Sequence, residues 1–591
     1  MPFRKLTIAV ATLILLVAVS LQGCVGTATP EPVNAPVPTA RLSAPTARLN
    51  SPKSELKAPQ AGPSTDPARL HPEAPSNSPT PLPVPVVTPP PGLEGGTVVE
   101  GGLADVVTLN PVLADDHISL AIIELLFDRL LAVDPETGSL RPGLASSWRV
   151  SADGLTITFT LRNDVLWHDG QPFSAADVEF TFKAIMNPAV GSPRQADFSL
   201  VEEFKAVDDT AFVVTLADAD CSILYDLGSV RIVPRHILSD DDIQTSYFNA
   251  NPVGTGPFMF GEWVAEDHIT LLRNPRYWRK APHLDAWTHK VVADEEALLG
   301  GLKAGQLDVI PLPLDDLASA EAAGHFQIHR YPANEYYFIG YNVDHPILGD
   351  VRVRQALSQA VDRQRLVDRV LGGQGQLLDS GLLPAHWAYP QELAGRPFDP
   401  VRAAQLLAEA GWVDSDGDGI RDRDGEPLRL RLSTNGGNPV REAIAILVQQ
   451  YYLAVGVAAE VELMQWSNFL EDTFTHDFDM VVFSWPLALD PDEWELWHSS
   501  ESVLDSGFNF VSYYNPRVDE LLLQGLSVPK CEEARRAAIY GEIATILAED
   551  QPYAFLFAPY NLIAVNERVG GVAPSSFAGL HWNLADWYVS H

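Results

Sequence analysis

The sequence predicts an α/β chain of more than one domain, and three observations carry that expectation. Segments such as Leu155-Thr156-Ile157-Thr158-Phe159-Thr160-Leu161 alternate apolar and polar residues with a period of two, as a strand buried on one face does. Ile118 to Leu131, Val351 to Leu371, Val440 to Val455 and Glu532 to Leu547 instead repeat apolar residues every three or four positions, as amphipathic helices do. Both kinds of segment are interspersed along the roughly 500 residues after Gly95, far more than one compact core holds, so two or three domains able to bury a ligand between them are expected. Asp399-Pro400 reads as the N-cap and first position of a further helix ending near Gly411.

At the N-terminus, Arg4 and Lys5 precede the apolar run Leu6 to Leu21 and the small-residue boundary Gly23-Cys24, the layout of an export signal. The run is shorter than the ~20 residues of a membrane-spanning helix. Leu21-Gln22-Gly23-Cys24 resembles a bacterial lipobox, although Gln22 is less usual there. Residues 1–23 are therefore expected to be a lipoprotein signal peptide, Cys24 to carry the lipid, and the remainder to lie on the outer face of the cytoplasmic membrane, attached through that lipid. An uncleaved anchor or an accidental cysteine is the alternative. Residues 24–94, dense in Pro, Ala, Ser and Thr and poor in aromatics, cannot bury enough apolar surface to offset backbone ordering, and are expected to form a disordered tether.

A formal net charge of -37 argues against nucleic-acid partners, which need a basic surface, and suits a solvated acidic exterior or a cationic ligand. With Cys24 set aside, Cys221 and Cys531 remain available for one disulfide, which the sequence does not require. Neither has metal-ligand spacing. No HExxH, no G-x-S-x-G elbow and no P-loop occurs, so no enzyme is expected. Two other classes remain in view: an extracytoplasmic hydrolase using the same cleft, and a cell-surface structural or adhesive protein.

Several long stretches carry a family resemblance. "LNPVLADDHISLAIIELLFDRLLAVDPETGSLRPGLASSWRVSADGLTITFTLRNDVLWHDGQPFSAADVEFTF" (Leu109 to Phe182), "NPVGTGPFMFGEW" (Asn251 to Trp263), "LKAGQLDVI" (Leu302 to Ile310) and "VRVRQALSQAVDRQRL" (Val351 to Leu366) resemble, in the same order, the signatures of the bacterial family 5 extracellular solute-binding proteins, the peptide and nickel group. Locally, Gly254 and Gly256 before Pro257 suit a tight turn into a strand. Trp167, His168, Asp169 and Gly170 could look like a site, but the resemblance implies a turn there, with no catalytic part for His168.

The resemblance implies a class II periplasmic-binding-protein-like fold of two lobes with an additional domain inserted in the first. On that pattern residues 95–140, 256–335 and 561–591 form lobe I, 141–255 the inserted domain and 336–560 lobe II. It also implies a small solute, first an oligopeptide and otherwise a dipeptide, nickel chelate, opine-like amine or oligosaccharide, captured by hinge closure and delivered to an ABC permease with its ATPase. A monomer is the default.

Site residues follow where motifs match. Trp466 and Trp485 resemble two pocket tryptophans of the oligopeptide binders, with core packing as the alternative, and Leu470 occupies a neighbouring pocket position. The aspartate that pairs with a peptide ammonium three residues after the second tryptophan is replaced here by Ala488. Asp490 and Asp492 either take over that charge or cap a helix beginning near Glu493. Asp115, Asp116 and His117 stand where family members approach the ligand backbone, or else form a capped loop before a helix. Asp414, Asp416 and Asp418, spaced by two around Gly417, resemble the start of a calcium-binding loop; its twelfth position is Gly425, not Glu, leaving Asp422 to supply a fourth carboxylate. No cofactor is expected to be required beyond such a structural Ca2+, against which stands a metal-free turn.

Overall fold

The computed structural model of the protein describes residues 95–393, 395–504 and 507–590. The expected signal peptide, Cys24 and the tether fall outside the described residues. Among those described, the largest sheet has twelve strands and runs through two lobes. In the first lobe Val309–Pro311, Thr97–Gly102 and Ala286–Val291 run parallel, and the antiparallel His268–Arg273 and Phe258–Val264 extend the edge. In the second, Ala458–Met464, Arg429–Asn435 and Met480–Pro486 run parallel, with Glu335–Tyr341 antiparallel beside the last.

One long strand, Tyr553–Asn566, joins the halves. Tyr553 to Phe557 pair with Glu335–Tyr341 of the second lobe, and Tyr560 to Asn566 pair with Phe326–Pro332 of the first. The chain crosses a second time directly alongside, through Ala333 and Asn334, where the Ala333 N–H donates to the Pro559 carbonyl (2.7 Å). Proline suits the exchange of partners at 559, because it has no N–H to leave unpaired.

Sheet faces explain the apolar runs. In Glu335–Tyr341, Tyr337, Ile339 and Tyr341 enter one core of the second lobe, while Tyr336 and Phe338 enter another on the opposite face. A strand covered on both sides reads as a continuous hydrophobic run, not an alternating one. Thr156–Leu161 is covered on one side only: Ile157, Phe159 and Leu161 are buried in a separate four-stranded antiparallel sheet with Ala145–Val150, Val201–Asp208 and Ala211–Leu216. That sheet shares one continuous core with the first lobe.

Helices sit close to the periodic segments, with two differences. The first ends at Leu126 and not at Leu131, because Phe127 turns extended where Gly254 to Gly256 press against the helix end. Val351 to Leu371 is two helices, Val351–Ala360 and Arg363–Val370, since Asp362 leaves helical geometry to accept the Arg365 N–H and cap the second. Pro400–Glu409 starts at the Asp399 cap.

Trp167 to Gly170 forms a turn with Gly170 at φ +93°. His168 is buried in it: the Gly254 N–H donates to Nδ1 (3.1 Å), and Nε2–H donates to the Gly256 carbonyl (3.1 Å). That fixes one neutral tautomer, and burial holds the imidazole pKa down to about 4. Cys221 and Cys531 form a disulfide, with Cα atoms 5.3 Å apart.

Gly254 and Gly256 owe their identity to close approach, since neither has a positive φ. A Cβ on Gly254 would stand 1.8 Å from the Leu126 carbonyl oxygen. Gly254→Ala is expected to destabilise the protein by about 1–3 kcal/mol, seen as a lowered denaturation midpoint; an unchanged midpoint would show that the helix end yields.

Candidate ligand-binding site

Between the lobes lies a cavity of about 1170 Å³, at the upper end of small-ligand sites, which run to roughly 1,000 Å³. First-lobe and inserted segments contribute Asp115, Arg129, Arg194, Tyr225 and Arg231, and the second lobe contributes Trp485, Ala488, Asp490, Asp492 and Glu493.

The second-lobe wall begins where Met480–Pro486 leaves the sheet. Trp485, 5% exposed, lines the cavity and packs against Phe483, Phe508 and Phe510, while its Nε1–H donates to the Tyr553 hydroxyl (3.2 Å). It is both wall and core. Trp466 and Leu470 lie outside the cavity lining: Trp466 stacks on Phe483 at 6.1 Å, with the Arg441 guanidinium 5.7 Å from its ring. Here the core-packing alternative describes the position.

The two aspartates differ. Asp490 is engaged by Arg536 through two bonds of 2.6 and 2.7 Å, so its charge is matched inside the protein and is not free for a ligand. Asp492 interacts with the Trp494 backbone N–H at the start of Trp494–Trp497, yet its Oδ1 is shielded from solvent without any hydrogen-bond partner. Burial, reinforced by Asp490 and Asp220, pushes its carboxyl well above the ordinary range. Glu493 accepts from Trp497 Nε1–H (2.7 Å), and burial raises it to about 7.

On the opposite wall a different imbalance appears. Arg129 and Arg231, bridged through their backbones, share Glu124: Arg129 binds it closely, whereas Arg231 Nη2 stands 3.8 Å away. The Arg231 Nε is buried without a partner, and burial beside Arg129 lowers the guanidinium pKa to about 9. Arg194 is held by the Ser229 hydroxyl (2.8 Å) and by Asp197 (3.1 Å). Asp115 is exposed on the rim. Asp116 caps His117–Leu126 by accepting the Ser119 N–H (2.8 Å), and His117 is that helix's exposed first residue, so neither lines the cavity.

The arginines, Glu124 and Glu493 escaped the sequence reading. Their signal is a charge inside an apolar run, as in Val230-Arg231-Ile232-Val233 and Ile122-Ile123-Glu124-Leu125-Leu126. Far from the cleft, ligand atoms of Asp414, Asp416 and Asp418 gather within 4.8 Å of one another on the surface. Asp422 stands apart from them, its carboxylate taken by the Ser415 N–H (2.9 Å) and hydroxyl (2.8 Å).

Two lobes joined by paired crossing strands, with a cavity whose walls hold unmatched charge, are the architecture of a receptor for a small solute. Residues 139–503 match the family described as bacterial extracellular solute-binding proteins, family 5 (middle). The chain is 32% identical over 506 residues to the oligopeptide-binding protein AppA of Bacillus subtilis, spanning 84% of this chain and 92% of that one. The solved structure of that AppA with a nonapeptide superposes with a TM-score of 0.62 at 31% identity, covering 84% of this chain and 99% of the other. NikZ of Campylobacter jejuni in complex with Ni(L-His) is also similar, with a TM-score of 0.63 at 28% identity over 83% of this chain and 99% of that one. The protein belongs to the family 5 extracellular solute-binding proteins.

Glu493 gives the site a pH signature. The unfolded chain releases this proton near 4.5 and the folded protein near 7, so between those values the folded state binds more proton. The stability contributed by this group is therefore complete at low pH and is lost as pH rises from 4.5 to 7. Glu493→Gln is expected to lose less stability than the wild type between about pH 5 and about pH 7.5 in thermal melts; parallel curves would count against it.

Proposed function

We propose that the protein is the peptide receptor of an ABC importer, binding a zwitterionic oligopeptide across the cleft without turnover and presenting it to the permease and its ATPase when the lobes close. The observation that carries this is the contrast between the walls. Asp492 offers a buried carboxylate oxygen with no partner, next to Asp490 and Asp220, and an ammonium group placed there would repay its desolvation. On the opposite wall two guanidiniums share one carboxylate, so a ligand carboxylate at Arg231 would balance the surplus. Asp492 would thus replace the aspartate that Ala488 lacks, and the nonapeptide held by the similar AppA agrees with a ligand of this class. Trp485 would give the peptide a flat apolar wall. At the membrane, Cys24 would carry the lipid and the protein would act as a monomer, the proline-rich segment setting its reach.

Calorimetric titration with one peptide in four forms, free, N-acetylated, C-amidated and doubly capped, tests this directly. Free peptide should bind best, and each cap should weaken it at least tenfold, the ratio equivalent to about 1.4 kcal/mol. Asp492→Asn should abolish the penalty for N-acetylation, and Arg231→Met the penalty for amidation. Equal affinity for all four forms, or binding of a metal chelate in preference to any peptide, would defeat the proposal.

We also propose a structural Ca2+ on Asp414, Asp416 and Asp418. Calcium at about a hundred times its Kd should add roughly 2.7 kcal/mol of stability by mass action and raise the melting temperature. No rise, or the same rise in an Asp416→Asn variant, would leave the loop a metal-free turn.

A further inference from the structure

The two crossing strands are not the only covalent path between the lobes. Cys221 directly precedes the helix Ile223–Ser229, whose Ile223, Leu224 and Leu227 are buried in the core shared by the first lobe and the inserted sheet. Cys531 lies between the helices Pro516–Leu526 and Glu533–Asp550, whose Val518, Leu521, Tyr540 and Ile543 belong to a second-lobe core. The disulfide therefore has its ends in two different lobes. Cys221 is 1% exposed and its N–H donates across to the Leu526 carbonyl (2.9 Å), while the Cys531 N–H donates to the Val528 carbonyl (2.8 Å).

Around the disulfide the lobes touch at further points. The Trp387 N–H donates to the Thr137 carbonyl (3.0 Å), Trp387 Nε1–H to the Tyr225 hydroxyl (2.8 Å), and the Ser139 hydroxyl to Glu533 (3.0 Å). Each of these can be exchanged for a hydrogen bond to water at small net cost, so alone they would let the lobes part. The sulfur–sulfur bond has no such substitute. The disulfide also borders the cavity, because Ser222 and Tyr225 of the same segment line it, as do Asp490 and Asp492 opposite.

We propose that Cys221–Cys531 is a clasp across the cleft: it holds this corner of the two lobes together in the ligand-free protein, so that ligand exchanges through a partial opening and the lobes part widely only when the disulfide is broken. A staple confined to one core would leave opening untouched, whereas a bond between cores limits the hinge itself.

Hydrogen-exchange mass spectrometry of the ligand-free full chain tests this without reference to any ligand, so its outcome is independent of the peptide assignment. The probes are the Trp387 amide, bonded to Thr137, and the Cys221 amide, bonded to Leu526, each crossing between lobes. In the wild type both should stay protected. In the double variant Cys221→Ser, Cys531→Ser they should exchange at least tenfold faster, while amides of Tyr553–Asn566 keep their wild-type rates. Wild-type protein reduced with a phosphine and alkylated supplies the same comparison should the double variant fold poorly. Equal rates at the two probes with and without the disulfide would overturn the clasp. Acceleration spread through both cores would overturn it as well, showing a general staple instead.

Discussion

The structure depends on one strand that must satisfy two lobes at once. Tyr553–Asn566 pairs with the second lobe through its first seven residues and with the first lobe through its last seven, and it is buried along most of its length. Tyr553, at its start, lies 3.9 Å from Phe338 between ring centroids and accepts the hydrogen bond of Trp485, so a wall of the cavity is tied to the element that crosses between lobes. A ligand that presses on Trp485 acts on a side chain held by that crossing strand, which is the kind of coupling a closing receptor needs.

Charge is sorted as the dielectric demands. The many surplus carboxylates of this acidic chain are mostly solvated, and some that go inside are paired with arginine: Asp490 with Arg536, and Asp308, 1% exposed, with Arg568. Arg441, also buried, donates through its two terminal nitrogens to Asn435 and Ser484 and lies over the Phe483 ring at 4.6 Å, while its Nε has no hydrogen-bond partner. Asp492 and Arg231 are the two that combine a shielded polar atom lacking a hydrogen-bond partner with a place among the charged residues lining the cavity. Uncompensated groups of this kind are costly, and a ligand of opposite charge that reached them would recover part of that cost.

Much of the architecture could be read from the sequence because it is written in short-range patterns. Period-two alternation located Thr156–Leu161, and capping chemistry located Pro400–Glu409. What escaped was long-range. Nothing near Leu126 announces that Gly254 will lie against its carbonyl, and nothing near Val353 shows that the chain must turn at Asp362. At the site, motif position suggested Trp466 and Trp485 equally, yet only the second reaches the cavity, since which face of an aromatic cluster meets the cleft is decided by the packing of Phe483, Phe508 and Phe510. Arg231 and Glu124 come together from segments more than a hundred residues apart, a meeting that no local pattern encodes.

The first lobe draws its core from widely separated stretches, and one of these is the end of the chain. Leu584, Trp587 and Val589 are buried with Val98, Val309 and Val565, and Val569–Gly570 pairs with Tyr588–Val589. During translation this lobe cannot complete its core until Val589 has been made, some five hundred residues after its opening strand. The first lobe thus stays open while the second, whose own cores draw on none of those last residues, already has all of its buried segments.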